Sequence, residues 1–447
     1  MKKLSAFLLL PFFLISFSVP AFAVGSAGFE NATFSAYSLA QGGATVAQAD
    51  EPATISYNPA GITQLDGIQA QANMGFISGF TFYNSDTQGS TRSTGTIASF
   101  PTGYLTVNPG SYLHDRLSFG VGSDSPFGLT KKYESMHPIA RYTGYDISLL
   151  MYTIKPVAAI KVNEKISIGA GPVYYRVFDF SAVQKYPNTL LVGGAADGQV
   201  RLDQLKGNTW GWQLGILAKP SKKHSLGFYF RSPVTVKTTG LIKVENSVVG
   251  GRFETGGSAK IDLPLNFTWA YAFKPNDGTT IEADLGFTRW SAHKRLFIDA
   301  APVNANDDAV LAAIGKQDKD WSDSFAMQIG ARQRITNKLD ALLGAYFVTA
   351  AAPKDHFIPS VPDSNRLSFS VGAKYSPTPH LDISFAYMVL FNLRRRIDNS
   401  LSESLGTSVD GTYSGFLQDV VLSATYKFDT FLNRKKDLDV IEPGYIA

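Results

Sequence analysis

Apolar and polar residues alternate one by one over most of the chain beyond Gly67. In the segment 147–162, for example, neighbouring side chains fall on opposite faces, which is the period of two that an extended strand requires. A strand crosses a tilted bilayer with about 9–11 residues, and these segments reach that length. Fourteen of them follow one another: 68–80, 95–107, 115–125, 147–162, 165–181, 208–219, 224–243, 258–273, 278–291, 322–336, 338–349, 366–376, 380–391 and 415–428.

The connections between these segments alternate in length. Short ones contain the Pro, Asn, Asp or Gly of tight turns and lie at 108–114, 163–164, 220–223, 274–277, 337 and 377–379. Long polar ones lie between them, at 126–146, 182–207, 292–321 and 392–414. This asymmetry is typical of outer-membrane barrels. It predicts an all-β membrane protein, a 14-stranded antiparallel barrel in the outer membrane of a Gram-negative bacterium, with both chain ends on the periplasmic side.

The ends of the chain carry further signals. Residues 1–23 have the basic start, the apolar stretch and the small-residue cleavage site of a secretory signal peptide. Residues 24–66 follow neither a helix nor a strand period, and a barrel of fourteen strands has a lumen wider than side chains alone can fill. We therefore predict an N-terminal hatch, or plug, at 24–66, a transmembrane barrel at 67–428 and a periplasmic C-terminal tail at 429–447.

Composition limits the chemistry that the chain offers. Cysteine is absent, so an exported protein of this sequence cannot depend on disulfides. The net charge is near neutral and scattered, which gives no electrostatic reason to expect a nucleic acid partner. The six histidines show no metal-ligand spacing, and neither a Gly-x-Ser-x-Gly motif nor a phosphate loop is present. We predict that the protein is not an enzyme and has no catalytic residues, metal or cofactor.

The last alternating segment ends in the aromatic residues Tyr426 and Phe428. It resembles the C-terminal strand that the outer-membrane assembly machinery reads, so we expect that machinery as a partner. Outer-membrane lipid and lipopolysaccharide are expected partners as well. The cluster Arg394-Arg395-Arg396 at an extracellular strand end favours lipopolysaccharide phosphates.

Four groups of residues resemble, in order along the chain, the FadL family of long-chain fatty acid and aromatic-hydrocarbon transporters. The first group is Ala27-Gly28-Phe29, Gly42-Gly43-Ala44 and Asn58-Pro59-Ala60-Gly61-Ile62, and the second is 119–123 followed by Ser125-Pro126-Phe127-Gly128-Leu129. The third is 208–212 with Leu263-Pro264, and the fourth is 362–366 with Gly372. Because the groups keep the family order across nearly the whole chain, the resemblance is specific.

The resemblance implies passive uptake of a hydrophobic small-molecule ligand, with capture by loops, a pocket in the lumen and sideways exit where the third strand kinks. The lateral opening would be formed by Ser125, Pro126, Phe127 and Gly128, and the hatch or gate by Asn58, Pro59 and Ala60. Phe29 would contact the ligand. The residues alone allow simpler roles: Pro126 can end a strand, Phe29 can pack, and Asn58 can hold a turn.

Arg176 on the fifth strand is the cation that we assign to a carboxylate ligand, although a wall-lining or ion-pair role explains it equally well. Both long-chain fatty acids and hydrocarbons remain open as substrates. A general aqueous porin for small polar solutes is the main alternative function. An adhesin or phage receptor that depends only on its loops is a third.

Overall fold

The structure is a computed structural model of the chain. It describes residues 28–85, 89–113, 115–187, 196–245, 251–302, 308, 311–312, 315–398 and 408–428. The predicted signal peptide and the predicted C-terminal tail lie outside these residues. Within the described part of the chain, no helix is both long and apolar enough to span a membrane.

Twenty strands of the described chain belong to one sheet, in which every pairing is antiparallel. In chain order they are β1 Ile68–Ser85, β2 Gly89–Arg92, β3 Thr96–Val107, β4 Leu117–Asp124, β5 Gly128–Lys132, β6 Asp146–Asn163, β7 Ile166–Tyr186, β8 Gly198–Ser221, β9 His224–Arg231, β10 Val234–Glu245, β11 Arg252–Leu263, β12 Asn266–Asn276, β13 Thr279–Thr288, β14 Arg295–Ala300, β15 Lys316–Asp318, β16 Ser324–Thr336, β17 Leu339–Val348, β18 Arg366–Thr378, β19 Leu381–Ile397 and β20 Gly411–Phe428.

These strands make fourteen crossings of the barrel wall. The pairs β4 with β5, β9 with β10 and β11 with β12 each make one interrupted crossing, while β2, β14 and β15 lie in long connections. The ring closes where β1 pairs with β20, without a register shift from Ile68↔Phe428 to Asn84↔Thr412. Closure pairs the first crossing with the last, so the described sheet has no terminal edge strand. Hydrocarbon requires such closure because backbone polar groups there find partners only within the protein. The predicted 14-stranded antiparallel barrel is confirmed.

Side chains alternate between the two faces of the wall. On β12, Trp269 and Tyr271 are exposed on the outer face, whereas Ala270 and Ala272 are buried on the lumen face. Aromatic rings on the outer face contact one another across neighbouring strands, as Phe228 on β9 does with Trp269. This apolar outside is the pattern of two that the sequence showed.

Residues 28–67, which we call the hatch, lie inside the barrel. They contain one short helix, α1 Ala36–Ala40, and two 3₁₀ turns, Pro52–Ser56 and Pro59–Gln64. The helix starts at Ser35, whose hydroxyl oxygen accepts the Ser38 N–H at 3.0 Å. It packs against β18, β19 and β20, while the second 3₁₀ turn packs against β6, β7 and β8.

One crossing extends well beyond its predicted segment. β8 begins at Gly198, although the alternation on which the prediction rested starts only at 208. The reason is a β-bulge beside β10 at Gln204, whose φ is 50°. The bulge places both Leu202 and Leu205 in the core, three positions apart, so the period of two is lost in the sequence.

Candidate functional site

The third crossing is interrupted between β4 and β5. β4 pairs with β3 on one side and β6 on the other, whereas β5 pairs only with β6. The β3–β4 ladder stops at Gly103↔Ser123. The next described backbone hydrogen bond across this seam lies at the far end of β5, where the Thr94 N–H donates to the Lys132 carbonyl at 2.9 Å. Pro101 and Pro126 lie in this interval, and neither has an N–H to donate. The wall therefore has a gap in its backbone hydrogen bonding beside Ser125–Gly128.

The interrupted stretch is bonded to the hatch instead of to β3. The Asn31 N–H donates to the Pro126 carbonyl at 2.8 Å, and the Gly128 N–H donates to the Phe29 carbonyl at 2.9 Å. The Asn31 side-chain amide donates to the Ser125 carbonyl at 3.1 Å. The start of the hatch thus acts as a short strand partner for the interrupted stretch Ser125–Gly128, which we call the kink. These hydrogen bonds couple the movement of the hatch to that of the kink.

Phe29 stands at the centre of a group of buried rings. Its ring centre lies 5.0 Å from that of Trp290, 5.8 Å from His293, and 6.0 Å from both Phe127 and Trp321. All five side chains are buried. We call these five residues the aromatic cluster. It joins the hatch, the kink and the connection between β13 and β16 in one apolar contact.

The space around the aromatic cluster is occupied by protein. Aliphatic and aromatic side chains from β5, β7 and β10, including Leu129, Tyr175 and Val236, continue the cluster into a larger core. A cavity of about 40 Å³ lies beside Leu129 and Gly28. A cavity of this size holds a few water molecules, since about 10–15 Å³ of such volume admits one. A ligand that enters this core must displace side chains.

Unpartnered polar atoms border this apolar core. Trp290 Nε1 and His293 Nδ1 are buried and have no hydrogen-bond partner among the described residues. The ammonium of Lys319 is buried, donates to Gln317 Oε1 at 2.9 Å, and has no carboxylate ion-pair partner among the described residues. Burial lowers the pKa of Lys319 to about 8. Burial, together with the nearby Lys319 charge, lowers the pKa of His293 to about 3, so this imidazole is neutral.

A buried ion pair fixes the hatch beside the kink. Arg231 at the end of β9 places Nη2 2.5 Å from Glu30 Oε1, and its guanidinium lies 4.6 Å from the centre of the Phe127 ring. Burial raises the pKa of Glu30, while the Arg231 charge opposes that rise. Because a lone charge in this site would be costly, the pair holds Glu30 and Phe127 together.

A second buried ion pair lies at the end of β4. Lys155 Nζ is 2.5 Å from Asp124 Oδ2, and Thr153 donates to Asp124 Oδ1 at 2.5 Å. The Ser56 hydroxyl of the hatch donates to the same Asp124 carboxylate. The residue immediately before the kink is therefore tied both to the wall and to the middle of the hatch.

The Asn58-Pro59-Ala60 turn is held by its own side chain. Asn58 Oδ1 accepts the Ala60 N–H at 3.2 Å, while Nδ2 donates to the Val46 carbonyl at 2.7 Å and to the Ile216 carbonyl at 3.1 Å. The first two bonds organise the hatch, and the third ties it to β8.

The wall is shaped to receive this turn. Gly169 on β7 and Gly215 on β8 face each other in the ladder. A Cβ atom on Gly169 would collide with Pro59 and Ala60, and one on Gly215 with Asn58 and Pro59. Glycine is required at both positions because the hatch backbone approaches so closely.

Asp363 anchors the first described residue of the hatch from the extracellular side. Its carboxylate accepts the Gly28 N–H at 3.1 Å and the N–H groups of Ala351 and Ala352 at 2.6 and 2.8 Å. Arg366 Nη2 lies 3.2 Å from the same carboxylate and donates to the Gly28 carbonyl at 3.1 Å. The sequence pointed to this motif but not to its role. An Asp three residues before an Arg, within the fourth group of family-like residues, was the available sequence signal.

The other end of the lumen is polar. A cavity of about 380 Å³ lies between the hatch and the periplasmic ends of β1, β18, β19 and β20, and its lining includes Asp50, Glu51, Lys374, Asp382 and Lys427. Burial raises the pKa of Asp50, but Arg332, 2.9 Å away, and nearby lysines bring it down to about 2. Burial raises the pKa of Glu51 to about 7, against hydrogen bonds from Ser35, Gln71 and Tyr57.

Arg176 is not brought to the aromatic cluster. It shares its face of β7 with Tyr174, whose ring contacts the exposed Trp210, and this is the outer face of the barrel. The buried Tyr175 and Val177 take the lumen face. Arg395 also departs from the surface role considered for its cluster, since it donates to the carbonyls of Asp363 and Ala352 at 2.9 and 2.7 Å.

Trp290, His293, Lys319 and Trp321 are site residues that the sequence did not reveal. Trp290 falls at the end of the predicted segment 278–291, where the structure has a 3₁₀ turn instead of a strand. The other three lie in the long connection 292–321, where no strand period assigns a direction to a side chain. The two tryptophans in a mostly polar stretch were the available signal.

A closed barrel of fourteen antiparallel strands, with its own N-terminal segment inside the lumen, is an outer-membrane transport barrel. The model of the outer membrane protein transport protein family (OMPP1/FadL/TodX) matches residues 17–428. The chain belongs to this family and is an outer-membrane protein.

Two relatives illustrate the range of similarity. The chain is 23% identical over 400 residues to the long-chain fatty acid transport protein of Escherichia coli O6:H1, covering 81% of this chain and 87% of that one. It is 24% identical over 220 residues to a 47 kDa outer membrane protein of Pasteurella multocida, where the match spans 46% of this chain and about half, 49%, of the relative.

Solved structures share the fold. A FadL homologue of Pseudomonas aeruginosa superposes with a TM-score of 0.79 at 19% identity, covering 90% of this chain and 100% of the homologue. The toluene transporter TodX of P. putida superposes with a TM-score of 0.66 at 16% identity, covering 89% and 99%.

Proposed function

We propose that this protein is a passive outer-membrane channel for hydrophobic compounds, namely long-chain fatty acids or aromatic and aliphatic hydrocarbons. One observation carries the proposal. The aromatic cluster, buried in the lumen, contacts the hatch through Phe29 and the interrupted wall through Phe127, so an apolar site and a wall gap share one residue pair at 6.0 Å. Membership of a transport family supports the same class of ligand. So do the names of one relative, a long-chain fatty acid transport protein, and of one solved structure, a toluene transporter.

In the proposed route, the ligand enters from the extracellular loops and displaces Phe29 from the aromatic cluster. The Phe29 carbonyl accepts the Gly128 N–H, and the neighbouring Asn31 bonds to Ser125 and Pro126. Displacing Phe29 therefore strains the bonds that hold the kink. The kink then yields, and the ligand passes sideways through Ser125, Pro126, Phe127 and Gly128 into the membrane.

Exit to the periplasm is disfavoured by the chemistry of the lumen. Below the hatch lies the polar cavity lined by Asp50, Glu51, Asp382 and two lysines. A hydrocarbon chain gains nothing by leaving an apolar core for such a cavity, because the hydrophobic effect drives it toward lipid instead. The Asn58-Pro59-Ala60 turn, seated against Gly169 and Gly215, closes this path in our proposal.

Lys319, rather than Arg176, is the cation that we propose for a carboxylate ligand. It is buried without an acidic partner among the described residues, and Trp290 Nε1 offers a free donor near the same cluster. A buried ammonium without a counter-ion is costly, and a ligand carboxylate would relieve that cost. These groups favour a fatty acid over a plain hydrocarbon, for which only the apolar core matters.

A general aqueous porin is the rival function. It requires an open polar lumen, whereas the hatch fills this one from Gly28 to Gly67. Purified protein in planar bilayers separates the two: we expect no large steady ion conductance. Steady conductance of the size of a porin would contradict the hydrophobic channel.

The positive test is uptake by cells that express the protein, with labelled oleate and labelled toluene as parallel substrates. Cells that do not express the protein are the control. We expect wild-type uptake above this control for at least one substrate. Uptake of neither substrate would contradict the proposal.

The pH dependence of binding distinguishes the two substrates. Lys319 has a pKa of about 8, so its ammonium is present below that pH and is lost above it. Oleate affinity should therefore fall as the pH rises from 7 to 9, while toluene affinity should not change. A Lys319→Met variant should remove the pH dependence for oleate.

A further inference from the structure

The wall has a second interruption, between β8 and the seventh crossing, that no part of the proposed route uses. β8 pairs with β9 up to Gln213↔Arg231 and with β10 from Gly207↔Thr238 onward. Between these points, the only described backbone bond across the seam is from the Ser232 N–H to the Trp212 carbonyl, at 3.0 Å. Residues 208–211 of β8 therefore keep their β7 partners but form no ladder pair with β10.

The cause is an extra residue on the seventh crossing. Arg231 and Val236 are both buried on the lumen side although they are five positions apart, so the alternation slips by one residue between them. Pro233 lies within the slip and has no N–H for the ladder. A bulge that contains a proline is a stable way to omit hydrogen bonds from a wall.

Side chains close the seam where backbone bonds are missing. A Cβ placed on Gly211 would lie 2.7 Å from Val234 Cγ1, 2.8 Å from Ser232 Oγ and 3.2 Å from the Tyr175 ring. Val234 on β10 and Tyr175 on β7 thus fill the space beside Gly211 where no ladder pair spans the seam. Side chains can rotate without unpairing a strand, so this seal opens more easily than a hydrogen-bonded ladder in hydrocarbon.

The two sides of the seam have the chemistry of a passage. On the lumen side, Tyr175 and Val236 belong to the same core as the aromatic cluster. On the outer side, Trp210 and Trp212 are 63% and 52% exposed. Trp210 packs against Tyr174 and Trp212 against Phe230, which forms an apolar and aromatic surface of the kind found where barrels meet the membrane interface.

We propose that the seam between residues 208–211 of β8 and residues 232–237 is a second lateral passage, gated by the Val234 and Tyr175 side chains, through which the hydrophobic ligand exchanges between the core and the outer leaflet. The inference rests on the proposed function for its ligand but not for its first test. The passage is distinct from the kink, because the crossings β6 and β7 lie between the two.

The first test measures access from lipid and needs no substrate. Since the chain lacks cysteine, a single Val236→Cys variant carries one thiol behind the seam. The matched control is Leu390→Cys, which is equally buried but lies behind the part of the β19–β20 ladder that is uninterrupted from Leu381 to Asn392. In vesicles that contain a membrane-dissolved maleimide, we expect Val236→Cys to react roughly tenfold faster than Leu390→Cys, because only the first lies behind a seam that opens locally. Equal rates would overturn the passage.

The second test closes the seam. A Cβ on Gly211 would lie 2.7 Å from Val234 Cγ1, so Gly211→Cys with Val234→Cys allows a disulfide across the gap. Leu390→Cys with Leu417→Cys, a facing pair in the continuous ladder, is the matched control. We expect oxidation of the first pair to lower oleate uptake and reductant to restore it, with no change in the control.

The two failures are distinguishable. Unchanged oleate uptake in the oxidised Gly211–Val234 pair would contradict the passage while leaving the channel function intact. Failure of wild-type uptake for both oleate and toluene would contradict the channel function, and the labelling rates would still decide whether the seam opens to lipid.

Discussion

The half of the wall that runs from β16 through β20 to β1 differs from the half that runs from β4 to β12 in the continuity of its ladder. β17 pairs with β18 from Leu339↔Tyr375 to Val348↔Arg366 without a shift, and β1 pairs with β20 over nearly its full length. In the other half, ladder pairs are missing beside 125–127, between 155–157 and 171–173, and beside 232–233, and register shifts add bulges on β7 and β8. The register shifts of the first half lie toward strand ends, as between Asn392 and Arg395 on β19.

Proline explains much of this difference. The described strands β16 to β20 and β1 contain proline only at Pro377, beside a periplasmic turn. In the interrupted half, Pro126, Pro156, Pro172 and Pro233 each lie at a break. A proline in a strand removes one ladder donor, so a run of them marks where a barrel gives up hydrogen bonds. One half of this wall keeps the barrel closed, and the other half surrounds the apolar core.

The largest effect should come from filling the third-crossing gap. Gly128→Trp places a bulky side chain in the proposed opening, and we expect oleate or toluene uptake to fall to the level of cells without the protein. Gly286→Trp on β13, where an added Cβ meets only Ala326 and Thr268, is the matched control and should retain uptake. Equal loss in both variants would mean that bulk anywhere in the wall is harmful, and the assignment of the opening to the third crossing would fail.

Next in size is the loss of the buried Glu30–Arg231 pair. Arg231→Met leaves Glu30 uncompensated at a site where both side chains are less than a tenth exposed, which costs about 3–5 kcal/mol. Arg332→Met breaks the more exposed bridge to Asp50, on the continuous half, and should cost less. The measurement is the urea concentration at which half of the hatch is released, detected as protease sensitivity of the otherwise folded barrel. A larger effect from Arg332→Met would contradict the expectation.

The third prediction concerns pH. Glu51 bonds to Gln71 on β1 at 2.7 Å and has a pKa of about 7, raised from 4.5. The folded state favours the protonated Glu51 carboxyl. Its contribution to the stability of the hatch is therefore complete below about pH 4.5 and is lost as the pH rises through 7. Between pH 5.5 and 8 the hatch should lose on the order of 2 kcal/mol. The same protease assay should show this loss in the wild type but not in Glu51→Gln.

The smallest effect should follow Pro59→Gly in the hatch turn. Glycine gives the unfolded chain more conformational freedom than proline, so the substitution should lower the stability of the hatch by about 0.4–1 kcal/mol. It removes none of the Asn58 hydrogen bonds. We expect altered uptake with normal barrel assembly, monitored by heat-modifiable migration in gels. Unchanged uptake would argue against a gate at this turn.

The fold followed from the sequence because both of its signals are local. A period of two and short turns that carry proline, asparagine or glycine need only neighbouring residues, and they placed all fourteen crossings. The bulge at Gln204 hid the first part of β8, since one residue in a left-handed conformation reverses which face follows.

The site was predicted only in part. Phe29 and Phe127 were found through the resemblance, but their contact with Trp290, His293 and Trp321 joins residues more than 150 positions apart in the chain, which no periodicity reveals. Arg176 was assigned to the lumen without a test of parity. Its neighbour Tyr175 is the residue that faces the core, and a one-residue step on a strand reverses the face.

The hydrogen bonds of the hatch also constrain how the protein is made. Thr33 donates to Asp419 across 386 positions, and Gly28 donates to Asp363 across 335. These bonds run from the segment before β1 to the last strands, and β1 is the strand that β20 must meet to close the ring. We therefore expect the hatch to be enclosed as the ring closes rather than threaded in afterwards, in a late step of very high contact order, which favours slow folding. A chain that ends before β20 should therefore form neither the closed wall nor the enclosed hatch.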